Sequence, residues 1–268
     1  MKKNHNPQKM IEKVNAIVLR ISPFSMTSHV VTWLTENGMI LRTVIKGATR
    51  SKSTFLGQYD LFYTCEVLYY HTRGSREVYI AKECTPLKLR ESFRSNWRCT
   101  QCASWFSFLI QYTAGSYNYN SDIFNLLEET LDFIHTQKYT YPIVFARFET
   151  QLLNEIGIFP NFDKCMLCNN SGLKFDISEG RMHCPQHSYK DSRSPIVTIS
   201  NDVIGLMETL SKSVSIGPQS SILKTSETTT FSLLRFLGLF MRYHIESLPI
   251  EGRAIALKAI TDLVNEKG

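Results

Sequence analysis

The chain has 268 residues, 43% of them hydrophobic, 12% aromatic and 20% charged, which can bury a sizeable core and excludes a disordered polypeptide. The formal charge is +6, and no run of about 18 uncharged apolar residues occurs, which excludes a spanning helix. Residues 1–13 are polar and basic, and the apolar stretch Val14 to Ile21 is short and already carries Arg20, so a signal peptide is excluded as well and a soluble, cytoplasmic protein is expected.

The first third alternates and is rich in β-branched and aromatic residues. Val14 to Ile21 reads as a strand ending near Pro23. His29 to Thr35 and Met39 to Lys46 read as a hairpin around the turn Glu36-Asn37-Gly38. Leu61 to His71 is a long aromatic strand, and Arg76 to Lys82 completes a set of about five. Five short strands with a basic loop between the third and fourth fit a small closed barrel. An OB-fold is expected, although periodicity does not separate it from an SH3-like barrel.

After Pro86 the spacing becomes helical. Phe93 to Ala114, Asp122 to His135 and Pro142 to Ile156 read as helices, the last with Pro in its first turn and Gly157 just past its end. Residues 162–199 interrupt with Cys, Gly, Ser and Pro. Helical spacing returns at Asp202 to Leu210, Ser232 to Ile245 and Arg253 to Asn265, with a Ser/Thr-rich loop expected at 211–230. The expected class is therefore α+β: an N-terminal five-stranded OB-fold β-barrel at 1–88, then an α-helical domain at 89–268 with a zinc-knuckle insertion at about 162–190.

Charge is unevenly spread. Residues 1–90 hold 14 Lys and Arg against 6 Asp and Glu, and residues 91–268 hold 16 against 18. A basic block confined to one end suits a polyanion, of which nucleic acid is the commonest; a merely solvated basic surface is the alternative.

Seven cysteines, an odd number widely scattered, argue against a disulfide framework. Cys65 and Cys84 fall in expected strands and read as core. Cys165-x-x-Cys168 and Cys184-x-x-His187 are two knuckles separated by fifteen residues, with Asn169, Asn170, Gly172 and Gly180 supplying turns between them. Zn²⁺ takes four such ligands in a tetrahedron, and a site with four protein ligands has no open position, so it is structural. His183 competes with His187 for the fourth place. Cys99-x-x-Cys102 lies inside an expected helix with no second knuckle, and reads as packing. No dinucleotide, phosphate-loop, nucleophile-elbow or zincin motif occurs, and no Glu follows two residues after His183 or His187 as a zinc deaminase requires. No enzyme is called for.

Arg42, Lys46, Arg50 and Lys52 lie within eleven residues, with Tyr59, Phe62 and Tyr63 following. Cations for phosphates beside aromatic faces for bases suit a single-strand binder, though alternating Phe and Tyr equally suit a strand core. The order of features now resembles a family, the bacterial RecO recombination mediators. The matching stretches are Ala16-Ile17-Val18-Leu19, Thr35-Glu36-Asn37-Gly38-Met39, Val44-Ile45-Lys46-Gly47-Ala48-Thr49-Arg50 with Ser51-Lys52-Ser53, and then Phe148-Glu149, Leu152-Leu153, Ile156-Gly157, Pro160, Asp163 and Cys165-x-x-Cys168. The resemblance is clearest at 14–70 and 143–187 and weak after about 200.

The resemblance implies an OB-fold, a helical domain and a zinc knuckle. It implies binding of single- and double-stranded DNA, annealing of complementary strands, and work with RecR to load RecA onto gaps coated by single-stranded DNA-binding protein (SSB), whose acidic tail docks in a hydrophobic pocket of the helical domain. Carried onto this chain, Arg42, Lys46, Arg50 and Lys52 become DNA-phosphate contacts, and Cys165, Cys168, Cys184 and His187 become zinc ligands. His187 departs from relatives that use a fourth Cys. The expected protein is a non-enzymatic, cytoplasmic mediator of recombinational DNA repair, nucleoid-associated when acting. The alternatives are an RNA-binding OB/zinc protein, or an adaptor whose basic face meets acidic partners.

Overall fold

The computed structural model describes residues 10–71, 78–117, 120–136, 140–165, 168, 174–184, 186–187, 195–212 and 225–265. By packing, the chain divides into two compact units, residues 1–135 and 136–268.

The first unit is built on a closed five-stranded barrel: β1 (Met10–Ser25), β2 (Ser28–Thr35), β3 (Ile40–Ile45), β4 (Thr64–His71) and β5 (Tyr79–Lys88). The strand order β1-β2-β3-β5-β4, with β4 returning to β1 and a parallel β3–β5 pair, is the OB-fold topology, so the expected barrel is borne out. Its interior is filled by alternate residues, among them Val14, Ala16 and Val18 of β1, Val31 and Trp33 of β2, and Leu41 and Ile45 of β3. Trp33 satisfies its indole inside that core by donating to Thr43 Oγ1 at 2.9 Å.

Several strand ends differ from the sequence reading, and β1 already starts at Met10 rather than Val14. β1 runs past Pro23 to Ser25, because the proline sits beside a register shift where a lost ladder hydrogen bond costs little. The fourth strand starts at Thr64 rather than Leu61, because Phe62 is left-handed at φ 67 and turns the chain. Its carbonyl accepts from the buried Arg90 guanidinium at 2.7 Å. The fifth strand extends through Pro86 to Lys88; the pairing with β3 covers only Tyr79 and Ile80, so the proline lacks no partner there. Residues 76–77 of the expected strand lie outside the described residues. The β2–β3 turn behaves as read: Gly38 is at φ 82, and a side chain there would collide with the backbone of Asn120.

Near one end of the barrel Tyr69 donates to Glu12 at 2.6 Å, and His71 bonds the other carboxylate oxygen. These two bonds, Tyr69 first, hold the Glu12 carboxyl below its usual range. A lowered carboxylate contributes stability that is complete above the ordinary glutamate value and fades as pH falls through the lowered one. Its side chain is 43% exposed, so water screens the effect and Glu12→Gln should cost about 1 kcal/mol or less. Urea midpoints at pH 7 and pH 3 check this: the gap between variant and parent narrows at the lower pH. A gap of equal size at both would assign the loss to packing.

Two helical differences follow from caps. The expected helix Phe93 to Ala114 splits into α1 (Ser92–Ser95) and α2 (Trp97–Thr113), because the Asn96 side chain accepts from the amides of Arg98 and Cys99 and starts a new helix. α3 (Ser121–Thr136) then lies where expected, and Arg90, 1% exposed, joins it to the barrel through Asp132 at 2.6 Å.

In the second unit come α4 (Tyr141–Glu155), β6 (Lys174–Asp176), β7 (Arg181–His183), β8 (Ile196–Val197), α5 (Asn201–Lys212), α6 (Glu227–His244) and α7 (Glu251–Asn265). α6 begins five residues before the expected Ser232. Ser226 caps it by accepting from Thr229 N–H at 3.1 Å, and the threonine run enters the helix with Thr230 buried; packing overrides the weak helix propensity of threonine. Residues 213–224 of the expected loop lie outside the described residues. The three short strands form a sheet in the order β7-β6-β8. It is tied to α6 by Phe175, whose ring meets Phe236 and Phe240, and by His244, whose Nε2 lies 2.7 Å from the Ile177 carbonyl.

Candidate metal centre and nucleic-acid interface

Sulfur and imidazole donors converge at one edge of the small sheet. Cys165 follows α4, Cys184 directly follows β7, and the turn in which His187 N–H donates to the Cys184 carbonyl at 3.0 Å brings the imidazole back. Cys165, Cys168, Cys184 and His187 place one donor atom each within 4.8 Å of one another. Cys168 Sγ lies 3.4 Å from Cys184 Sγ, and His187 Nδ1 lies 3.2 Å from Cys184 Sγ and 3.8 Å from Cys165 Sγ. A sulfur–sulfur separation of 3.4 Å is no disulfide, and all these cysteines are free.

Tetrahedral Zn²⁺ with Zn–S of about 2.3 Å and Zn–N of about 2.0 Å requires sulfur pairs about 3.8 Å apart and sulfur–nitrogen pairs about 3.5 Å apart. The donor set therefore fits a metal ion, and soft thiolates with one imidazole suit zinc. Of the two competing histidines, His187 joins the group and His183 does not. His183 pairs with Lys174 in the β-ladder, and alternation directs it away from Met182, which is buried. Neither of its ring nitrogens, both buried, hydrogen-bonds a described residue. The turn residues Asn169, Asn170 and Gly172 lie outside the described residues; Gly180 is described and sits in the β6–β7 turn.

The remaining cysteines pack. Cys99 and Cys102 are buried in α2, and burial first, then the neighbouring Cys99, pushes the Cys102 thiol up, which disfavours a thiolate there. Cys65 and Cys84 sit in the barrel core with their sulfurs 3.6 and 3.5 Å from the Gln58 carbonyl.

Arg42, Lys46, Arg50 and Lys52 are all exposed, and among the described residues none forms an ion pair. Arg42 lies on β3 opposite Thr32, and Thr32 is in turn opposite Arg20 of β1. Since Val31 and Trp33 point into the barrel, Thr32 and both arginines face outward. Arg20, likewise exposed and without an ion pair among the described residues, is a cation that sequence reading missed; strict alternation from Val14, Ala16 and Val18 would turn it inward, and the register shift between Val18 and Arg20 turns it out. Lys46 continues the outward face from Arg42 through Val44. The loop beyond is anchored to the β1–β2 turn, where Thr49 N–H donates to the Thr27 carbonyl and Gly47 N–H to Ser28 Oγ, both at 3.2 Å.

The aromatics of this region belong to the interior. Phe62 and Tyr63 are 1% and 3% exposed. Tyr59 is half-buried against Trp33 with its hydroxyl 2.7 Å from His29 Nδ1, and burial pushes its hydroxyl up to about 12.

In the second unit a groove of about 580 Å³ runs between α6 and α7. Phe231, Leu234, Leu239, Ile250 and Leu257 line it, and Arg235 and Arg242, both exposed, flank it. No described helix is long and apolar enough to cross a membrane.

Two family models match the chain: Recombination protein O N terminal over residues 10–90, and Recombination protein O C terminal over residues 94–254. Among curated proteins, it is similar to the DNA repair protein RecO of Alkaliphilus metalliredigens, 24% identical over 189 residues, covering 69% of this chain and 75% of that protein. The DNA repair protein RecO of Chloroherpeton thalassium is 23% identical over 249 residues, 90% of this chain and 95% of that protein. That of Streptococcus agalactiae serotype Ia is 34% identical over 93 residues, 34% of this chain and 36% of that protein.

Proposed function

This chain belongs to the RecO family of DNA repair proteins, and from that premise we propose that it is a non-enzymatic mediator of recombinational repair. It binds and anneals DNA strands and, with RecR, helps load RecA onto gaps coated by SSB. In this reading residues 1–88 are the nucleic-acid-binding domain, and residues 89–268 are the helical domain carrying a zinc knuckle at about 162–190. The protein acts in the cytoplasm, associated with the nucleoid.

One observation carries the DNA reading. Arg42, Lys46, Arg50 and Lys52 stand exposed on the barrel and loop without carboxylate partners among the described residues. Four like charges in one short segment repel one another unless a polyanion or water relieves them. Bound phosphates do so, and neutralising two strands together lowers the repulsion that keeps complementary bases apart. The mechanism is electrostatic, so affinity falls with salt at a log–log slope near −0.7 per phosphate on single strands. Fluorescence anisotropy of a labelled oligonucleotide at several salt concentrations tests it. Lys46→Ala with Arg50→Ala should flatten the slope by roughly one unit or more. An unchanged slope removes this loop from the interface, and no binding at low salt removes DNA as the ligand.

Cys165, Cys168, Cys184 and His187 would hold one zinc ion. With four protein ligands the ion supplies cross-linking and no reactive position.

The groove between α6 and α7 is the candidate seat for the acidic SSB tail, because it pairs an apolar floor with two exposed arginines on one helix face. A labelled peptide of the tail should bind the full chain, and Arg235→Glu with Arg242→Glu should weaken it by about tenfold or more, as attraction at two sites becomes repulsion. Equal affinity for parent and variant would move the tail elsewhere.

A further inference from the structure

The β1–β2 hairpin ends in two large apolar side chains held in water. Phe24 is 62% exposed and Met26 99%. Phe24 falls at the register shift between Pro23 and Ser25, so the ladder gives it no cross-strand partner; a bulge of this kind re-aims the side chain it carries. Its exposure keeps the Phe24 ring out of the barrel interior, on the solvent side with the exposed Arg42 and Lys46. The backbone of the tip is fixed. Ser25 pairs with Ser28, and the Thr27 carbonyl and Ser28 hydroxyl accept from Thr49 and Gly47.

An apolar tip fastened to a loop bearing Lys46, Arg50 and Lys52 needs a partner that is both strongly anionic and apolar on its faces. Burying the Phe24 ring against a partner would return about 1.5–3 kcal/mol, so a fixed tip carrying two such side chains beside the cations is available for a contact. An unpaired nucleobase on its phosphodiester backbone meets both requirements, since every base offers a π-face and every link a negative charge. A duplex hides those faces by pairing and stacking.

We propose that Phe24 stacks on an unpaired base of a bound single strand, with Met26 against the neighbouring base and Arg20 joining Arg42 and Lys46 on the phosphates. The Arg20–Thr32–Arg42 row lies four residues along β1 from Phe24, about 13 Å at strand rise, so one strand can touch both. The inference rests on the DNA reading of the barrel and deepens it, by giving this face a means of selecting single strands.

The test uses the full chain as parent, Phe24→Ala and Phe24→Trp, and three labelled probes: oligo-dT, a strand of abasic sites of the same length, and a duplex. Phe24→Ala should weaken oligo-dT binding roughly 5- to 150-fold. It should leave the salt slope and the affinity for the abasic strand and duplex unchanged, while Phe24→Trp keeps oligo-dT affinity. An unchanged thermal midpoint for Phe24→Ala, expected of so exposed a residue, assigns the loss to the ring. Equal weakening on oligo-dT and the abasic strand, or no weakening on oligo-dT, overturns the stacking role and leaves the tip to a protein partner. Failure of the parent chain to bind any probe at low salt overturns the DNA reading itself, and is read without the variants.

Discussion

Glu149→Ala should destabilise the protein by about 3–5 kcal/mol, lowering the thermal midpoint by roughly 6–20 °C for a unit of this size. Glu149 of α4 is fully buried, and its two carboxylate oxygens accept from Arg253 of α7 at 2.7 and 2.8 Å. Arg253 also donates to the Leu234 carbonyl of α6 at 2.6 Å and lies over the Phe145 ring, so one side chain ties three helices together. Removing the carboxylate leaves a guanidinium 7% exposed with its charge uncompensated, which is what makes the single change costly. Replacing both partners, Glu149→Leu with Arg253→Met, removes that charge and should restore most of the loss. Denaturant melts of the single and double variants decide this: a single variant within about 1 kcal/mol of the parent would mean that water reaches the pair. Gly238 belongs to the same arrangement, because a methyl group there would run into the Arg253 guanidinium.

Removal of the metal is the second large effect expected. The protein should carry one zinc per chain, and a chelator should lower the thermal midpoint by about 8–16 °C. At free zinc a thousand times the dissociation constant, linkage is worth about 4 kcal/mol, and each kcal/mol shifts a unit of this size by about 2–4 °C. The loss falls on the segment around β6 and β7, whose short strands have three residues each and cannot fold alone. Cys168→Ser should abolish stoichiometric zinc and reproduce the chelator's shift, whereas His183→Ala should retain the metal. Metal analysis of purified protein with a thermal melt checks both; full zinc in Cys168→Ser would take that thiol out of the ligand set. The oligonucleotide salt slope should be the same with and without metal, because the cations of the barrel lie in the other unit.

Legibility in the sequence followed locality. The β2–β3 hairpin was readable because its turn chemistry sits within Thr35 to Met39, where Gly38 takes the left-handed conformation that the motif demands. The two knuckles were readable for the same reason: ligand spacing is a short-range property, and the structure brings those four side chains together. Asn96 and Ser226 show where local reading fails. Each is an ordinary cap residue whose side chain accepts first-turn amides of its helix, but each lies beside a stretch whose spacing suggested something else. The aromatics after the basic loop were ambiguous because a strand core and a stacking surface call for the same residues. Burial of Phe62 and Tyr63 decided for the core.

The number and kind of most elements, the basic first third, the four candidate metal donors and the family resemblance are legible from residues near one another in the chain. Which histidine joins the cysteines, that Arg20 stands in one row with Arg42, that Phe24 leaves the ladder at a bulge, and that Glu149 meets Arg253 across 104 residues became visible only in the folded chain. Those facts depend on register and on long-range closure. A one-residue slip in either reverses which side chains face water, and no short-range pattern records it.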